Sequence, residues 1–104
     1  MSELGKDKMK LLLSPKAEDD LLDIWDFSSN WFSKTQANTY IEKINTCFVA
    51  IQDYPQIGKR LDFIKAHYWL YVCQKHHIVY QLQTEQIFIV RVLHQSNQIS
   101  KIVL

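Results

Sequence analysis

Apolar residues recur along the chain with two periods, one typical of helices and one typical of strands. Over residues 35–53 they return every three or four positions, which places them on one face of an α-helix. That stripe consists of Ala37, Tyr40, Ile41, Ile44, Phe48 and Ile51. A similar stripe in residues 15–32 consists of Leu21, Ile24, Trp25, Ser28 and Phe32. The pattern predicts two amphipathic helices in succession.

The residues that flank the two stripes set the expected helix ends. Ser14 is a favourable N-cap, and Pro15 suits the first helical position because its missing N–H would be unpaired there. Thr35 is the predicted cap of the second helix, which begins after Lys34 and ends before Pro55. Since two or three residues separate the helices, they should pack as an antiparallel hairpin.

Four shorter apolar runs have the length and composition of strands. They are residues 9–14, 67–74, 77–83 and 87–94. Short joins between the last three predict an antiparallel meander, and the almost continuously apolar last run should be a central strand. The order β–α–α–β–β–β predicts an α+β domain, in which a helical hairpin packs on one face of a small, mainly antiparallel twisted sheet.

Length and charge restrict the organisation of the chain and its partners. The 104 residues fit one domain, 1–104, with residues 1–8 expected to be flexible and residues 95–104 forming a tail. A formal net charge of +1 argues against a protein that coats nucleic acid, and no sequence-specific nucleic-acid binding is expected. The sequence has neither a membrane-length apolar run nor a signal-peptide core, which predicts a cytoplasmic protein without membrane contact.

The cysteines and histidines do not have the spacing of a disulfide framework or a metal site. Cys47 and Cys73 lie far apart without a CxxC motif, so no disulfide is expected in a reducing cytosol. The four histidines, His67, His76, His77 and His94, lack the spacing of metal ligands on a helix or in a zinc motif. We therefore expect neither a metal nor another cofactor.

Four fragments of the sequence follow one another on the predicted elements. They are LSPKAEDDLLDIWDFSSNWF, QANTYIEKI, YPQIGKRLD and IFIVRVLH, from about Met9 to His94. In this order they resemble the ParE branch of the RelE/ParE superfamily, the toxins of bacterial type II toxin–antitoxin modules. The resemblance implies the fold predicted above and a small cognate antitoxin that wraps around the toxin and neutralises it. It also implies DNA gyrase as the target, with growth arrest and plasmid stabilisation as the consequences.

The resemblance leaves three hypotheses open, because RelE relatives share the fold but cut messenger RNA on the ribosome. The first is a toxin that inhibits gyrase by binding, without any catalytic residue. The second is a ribosome-dependent mRNA endonuclease, in which His94, Arg91 and Lys65 supply the acid–base and cationic groups. The third is a decayed toxin that retains antitoxin binding alone.

The residues expected to contact the target are Lys59, Arg60, Lys65, Arg91 and His94. For Arg91 there are two interpretations: a partly buried side chain fixed by a carboxylate or backbone carbonyls, or a contact with a phosphate or gyrase. For His94 they are a histidine hydrogen-bonded to the backbone at the strand end, or an acid–base group.

Several apolar side chains have an expected place or an alternative as partner contacts. Trp25, Trp31 and Trp69 are expected in the core, with Trp31 and Phe32 as alternative contacts for a partner. The tail residues Ile99, Ile102, Val103 and Leu104 should pack on the sheet or at an interface. The predicted fold also leaves an edge strand and an open sheet face, to which an extended antitoxin segment can add.

Overall fold

The structure, a computed structural model, describes residues 8–97 and residue 99. These residues form two helices and five strands. The elements are β1 (Lys10–Leu13), α1 (Pro15–Trp31), α2 (Lys34–Asp53), β2 (Lys59–Arg60), β3 (Tyr68–Cys73), β4 (His76–Leu82) and β5 (Gln86–His94). The predicted α+β class and element order are confirmed, and β2 is a short strand in the segment that the sequence pattern assigned to a turn.

The strand order places β5 inside the sheet. The order is β1-β5-β4-β3-β2, with β1 parallel to β5 and every other pair antiparallel. The predicted meander and the central position of the last strand are therefore confirmed. Between Val79 and Tyr80 the register of β4 with β5 shifts by one residue, which marks a β-bulge.

Both helices begin at a serine cap. Ser14 caps α1 and accepts a hydrogen bond from the amide of Ala17 at 3.0 Å, as predicted. α2 is capped by Ser33, which accepts from the amide of Gln36 at 3.0 Å, so the prediction of Thr35 is wrong. Ser33 has the extended backbone of a cap, and its hydroxyl reaches an unpaired amide of the first turn.

The two helices pack as the predicted hairpin. Residues 32–33 alone connect them, and the indole Nε1 of Trp25 donates to Oδ1 of Asn38 at 2.8 Å across the pair. Among the described residues, neither helix combines the length and the apolarity that crossing a bilayer requires.

The two faces of the sheet carry separate apolar clusters. The helical hairpin covers the first face, where the buried residues are Ala17, Ile44, Phe48, Ile51, Cys73, Ile78, Tyr80, Ile87, Ile89 and Val92. The second face holds a smaller buried cluster of Leu61, Tyr68, Val79, Val90 and Leu93. Ile64 and Ile99 pack against this second cluster. The expectation of an open second face is therefore wrong, because the segment after β2 and Ile99 help to cover it.

The tail and the N-terminus are described only in part. The expectation that the tail packs on the sheet is confirmed for Ile99, which is partly buried. At the other end, the ammonium group of Lys8 lies 3.1 Å from a carboxylate oxygen of Asp53. Residues 1–7, 98 and 100–104, which include Ile102, Val103 and Leu104 of the tail, lie outside the described residues.

Aromatic side chains at the end of α1 are exposed. The exposed fractions are 71% for Trp31, 68% for Phe32 and 60% for Phe27. The rings of Phe27 and Trp31 contact each other with centroids 5.8 Å apart. The prediction that Trp31 lies in the core is therefore wrong. The prediction that Phe32 belongs to the helical stripe is also wrong, because α1 ends at Trp31. Trp69 is partly buried against the first-face cluster, and Trp25 is partly buried on α1, where it bonds to Asn38 of α2.

Cys47 of α2 and Cys73 of β3 form a disulfide across 26 residues of sequence. Their Cα atoms are 6.2 Å apart, within the usual range for a disulfide. The expectation that the cysteines form no disulfide is wrong. That expectation relies on the separation of the two cysteines in the sequence. In the fold, α2 packs on the end of β3 and brings the two cysteines together.

A buried tyrosine holds the turn between α2 and β2. The hydroxyl of Tyr80 donates to the carbonyl of Pro55 at 2.7 Å and accepts the amide of Gly58 at 3.2 Å. A Cβ atom on Gly58 would lie 2.6 Å from the carbonyl oxygen of Leu70 and 2.8 Å from the Tyr80 hydroxyl. The close approach of backbone to backbone at this turn therefore requires glycine.

Replacing Gly58 with alanine should lower the free energy of unfolding by about 2 kcal/mol, because the backbone must move to accommodate the methyl group. Urea unfolding followed by circular dichroism measures the change. Gln56→Ala is the matched control, since Gln56 is exposed in the same turn and its replacement should change stability by less than about 0.5 kcal/mol. Equal effects of the two substitutions would contradict the steric argument.

Candidate functional site: a groove between the helical hairpin and the sheet

A groove of about 950 Å³ lies between the helical hairpin and the ends of β4 and β5. We call it the hairpin groove. The titratable part of its lining includes Asp20, Tyr40, Lys43, Lys75, His76, Arg91 and His94. Exposed aromatic side chains, Phe27 and Phe32, line the same groove. A second cavity, of about 710 Å³, is lined by residues 53–57, 82–84 and Met9 and lacks this concentration of titratable side chains.

Arg91 of β5 is held by Asp20 of α1 in an ion pair with two hydrogen bonds. Nε lies 2.8 Å from Oδ2, and Nη2 lies 2.9 Å from Oδ1. The two side chains are 20% and 13% exposed, so most of the pair is removed from solvent. The hydrogen bond to Asp20 raises the pKa of Arg91. The interpretation of Arg91 as a side chain fixed by a carboxylate is confirmed.

The same carboxylate completes the edge of β5. β1 ends opposite Ile89, where the chain turns into α1. Beyond that point the hydroxyl of Ser14 donates to the carbonyl of Val90 at 2.7 Å, and Asp20 Oδ2 accepts the amide of Val92 at 2.9 Å. Side chains at the start of α1 thus replace a strand as partners of β5, because buried backbone groups must be paired.

On the other side of the groove, Tyr40 of α2 binds the β3–β4 turn. Its hydroxyl accepts the amide of Lys75 at 3.2 Å and lies 2.6 Å from Nδ1 of His76. The Lys75 amide is the donor in the first bond, so the tyrosine proton is available to Nδ1; a histidine that accepts this proton carries its own on Nε2. Burial raises the pKa of the Tyr40 hydroxyl.

His76 is a neutral imidazole at neutral pH. Burial is the main cause that lowers its pKa to about 4; the interaction with His94 acts in the same direction, and the interaction with Asp20 opposes it. The two histidine rings meet edge to face, with centroids 5.4 Å apart. A neutral imidazole bonded to a tyrosine can donate a hydrogen bond through Nε2, but it carries no charge with which to bind a phosphate.

His94 is exposed at the end of β5. Its Nδ1 accepts the amide of Ser96 at 3.1 Å and lies 2.8 Å from the hydroxyl of the same serine. The interpretation of His94 as a strand-end histidine bonded to the backbone is confirmed.

The basic candidates of the β2 region lie elsewhere. Arg60 pairs with Asp62 at 2.8 Å, and its guanidinium lies 5.7 Å from the centroid of the Trp69 ring. Lys59 is the exposed neighbour of Arg60 in β2. These contacts place Lys59 and Arg60 on β2, at one edge of the sheet. They lie far from the C-terminal end of the inner strand β5, where the hairpin groove is.

Lys65 is also remote from Arg91 and His94. Its ammonium group lies 5.4 Å from the centroid of the Tyr68 ring, in the second-face cluster. Tyr68 pairs with Gln81 of β4, and Gln81 pairs with Phe88 of β5, so Tyr68 and Phe88 lie in one row across the sheet. Phe88 precedes His94 by six residues, or roughly 20 Å along β5. The structure therefore brings two members of the postulated ribonuclease set together and separates the third from them.

The sequence pattern does not single out Asp20 or Tyr40 as site residues. Tyr40 and His76 are 36 positions apart, and no local pattern connects them. One clue was available: a tyrosine on an apolar helical stripe needs a partner for its hydroxyl when it is buried. Within residues 8–97 and 99, no three histidine, cysteine or carboxylate side chains converge as metal ligands.

Solved structures described as ParE and YoeB toxins have a similar fold. The structure described as the chromosomal ParDE TA system from P. aeruginosa has a TM-score of 0.72, with 17% identity over 83% of this chain and 95% of that chain. The YoeB/ParE toxin from Agrobacterium tumefaciens has a TM-score of 0.57, with 20% identity over 83% of this chain and 98% of that chain. At identities of 17% and 20% the likeness establishes the fold alone.

Sequence comparisons narrow the class to one family. Residues 11–99 match the family described as ParE toxin of type II toxin-antitoxin system, parDE. Toxin ParE1 of Mycobacterium tuberculosis (strain H37Rv) is 30% identical over 93 residues, which cover 88% of this chain and 95% of the relative. Toxin ParE1 of Caulobacter vibrioides is 31% identical over 84 residues, which cover 81% and 86%. The chain belongs to the ParE toxin family of toxin–antitoxin modules, which confirms the resemblance and implies a cognate antitoxin.

Proposed function

We propose that this toxin inhibits DNA gyrase by binding, without catalysing a reaction itself, and arrests growth until its antitoxin neutralises it. The observation that carries the proposal is the match to the ParE family over residues 11–99. Plasmid or replicon stabilisation then follows from the pairing of a toxin with an antitoxin.

The chemistry of the hairpin groove supports binding over RNA cleavage. Cleavage requires a base, an acid and a cation at one phosphate. The guanidinium of Arg91 already binds a carboxylate, and His76 is neutral. Lys65 lies near Tyr68, whose row across the sheet meets β5 roughly 20 Å from His94. Of the two permanent cations that the endonuclease hypothesis names, Arg91 is therefore paired with Asp20 and Lys65 lies outside the groove lining.

A supercoiling assay with purified gyrase and antitoxin-free toxin tests the proposal. We expect inhibition of supercoiling at micromolar toxin, with trapped DNA breaks, and no effect on messenger RNA in translating ribosomes. Cleavage of messenger RNA without any effect on gyrase would overturn the proposal in favour of the endonuclease. Absence of both effects, with antitoxin binding retained, would favour the decayed toxin.

A charge-matched pair of double variants tests whether the β2 region contacts the target. Lys59→Ala/Lys65→Ala removes two positive charges there and should weaken gyrase inhibition by about tenfold, since it removes two cations from the contact. Lys10→Ala/Lys16→Ala removes the same charge from exposed positions at the other edge of the sheet and on α1. It should inhibit like the unmodified toxin. Equal losses in the two variants would assign the effect to overall charge.

A further inference from the structure

We propose that Cys47 and Cys73 form a reversible redox modification site whose state sets the geometry of the hairpin groove. The disulfide joins α2 to the last residue of β3, directly before the turn that leads into β4. Cys73 is 1% exposed, whereas Cys47 is partly exposed. A small oxidant or a thiol reductant therefore reaches the pair through Cys47.

The disulfide lies against the wall of the groove. The sulfur of Cys73 is 3.8 Å from the carbonyl oxygen of Lys43, a groove residue one helical turn before Cys47. On the strand side, Lys75 follows Cys73 by two residues and donates its amide to Tyr40. The disulfide and the Tyr40 hydrogen bonds thus tie the same helix to the same turn.

The turn between the two attachment points is under backbone strain. Gln74, which separates Cys73 from Lys75, has a φ of 56°, in the left-handed region that side chains other than glycine seldom adopt. Strain of this kind persists only while the surrounding contacts impose it. The disulfide is the covalent member of these contacts. When it opens, the turn relaxes and the hydrogen bond from the Lys75 amide to the Tyr40 hydroxyl weakens.

The chemistry balances with hydrogen peroxide as the oxidant. The Cys47 thiolate attacks one peroxide oxygen, the O–O bond breaks, and a sulfenic acid and hydroxide form. The Cys73 thiolate then attacks the Cys47 sulfur, the S–S bond forms, and the S–O bond breaks with loss of a second hydroxide. The two thiol protons convert the hydroxides to two waters. A dithiol reductant reverses the change by thiol–disulfide exchange and is itself oxidised to a disulfide.

Amide hydrogen exchange of the full chain, oxidised with peroxide or reduced with dithiothreitol, tests the proposal, with thiol alkylation and mass spectrometry reporting the redox state. Reduction should speed exchange of the Lys75 amide by at least about tenfold. Its acceptor, the Tyr40 hydroxyl, lies on α2, and reduction breaks the covalent link between α2 and β3. The control is the amide of Ser14, which bonds to the carbonyl of Ile89 at 2.9 Å on the other side of the sheet. Its exchange should stay within about twofold.

Each other outcome overturns the proposal. Equal acceleration at Lys75 and Ser14 would show a general loss of stability, and unchanged exchange at Lys75 would show that the groove does not respond. A pair that resists reduction by dithiothreitol, or thiols that peroxide does not oxidise, would exclude a reversible site. The variant Cys47→Ser should show the exchange pattern of the reduced chain both with and without peroxide, and a change with peroxide would place the reactive group elsewhere.

These measurements do not depend on gyrase inhibition, so the redox proposal and the proposed function can be refuted independently of each other. If gyrase inhibition is absent but Lys75 exchange responds to reduction, the redox site remains and the target is wrong. If gyrase is inhibited equally by both redox forms, and Lys75 does not respond, the target remains and the redox site is wrong.

Discussion

Replacing Asp20 with asparagine should lower the free energy of unfolding by about 3 kcal/mol, which corresponds to a fall of about 12–24 °C in Tm. The substitution removes the negative charge that pairs with Arg91 and turns an NH2 group toward donors, among them the amide of Val92. Removal of one partner from a buried ion pair costs about 3–5 kcal/mol. We choose the lower end because the two side chains retain 20% and 13% exposure.

Two further variants make this expectation specific. Asp19→Asn is the same change at an adjacent, exposed position of α1 and should alter stability by less than about 0.5 kcal/mol. Arg91→Met combined with Asp20→Asn should cost less than the sum of the two single changes, since neither charge is then left alone. Urea unfolding of the unmodified protein, Asp19→Asn, Asp20→Asn, the double variant and the single variant Arg91→Met, which the sum requires, gives the comparison. A loss below about 0.5 kcal/mol for Asp20→Asn would show that the ion pair contributes little net stability.

The elements of this fold are predictable from local pattern, and their ends less so. Ser14 and the stripe from Ala37 to Ile51 mark the helices because capping and helical periodicity act within a few residues. β2 escapes such a pattern, since two exposed residues have no apolar period. Its position depends on Gly58 and on the buried hydroxyl of Tyr80, a contact between segments 22 positions apart.

The candidate site is less predictable than the fold, because every contact that defines it is non-local. Asp20 meets Arg91 across 71 positions, and Tyr40 meets His76 across 36. The chemical type of Arg91 predicted a carboxylate partner, but the sequence offers eleven acidic residues and no means to choose one. The position of Lys65 is equally non-local: its ammonium group lies near the ring of Tyr68, whose row across the sheet meets β5 six residues before His94.

Stability should fall as the pH drops from about 6.5 to about 4, and His76 should account for about 3 kcal/mol of the loss. Burial lowers the pKa of this imidazole from 6.5 in the unfolded chain to about 4 in the native protein. Above pH 6.5 the histidine is neutral in both states and costs nothing. Between pH 6.5 and 4 the unfolded chain binds a proton that the native protein does not, which favours unfolding. Below pH 4 both states are protonated and the loss reaches its limit.

The variant His76→Asn isolates this contribution from other groups that titrate in the same range. Asparagine retains an acceptor near the position of Nδ1 for the Tyr40 hydroxyl but does not titrate. The pH dependence of its unfolding free energy, from urea titrations at pH 7 to 4, should be shallower than that of the unmodified protein by about 3 kcal/mol in total. His67→Asn is the matched control, because His67 is exposed and its φ of 66° suits asparagine. Its profile should follow that of the unmodified protein, and parallel profiles for all three proteins would show that His76 does not set the acid sensitivity.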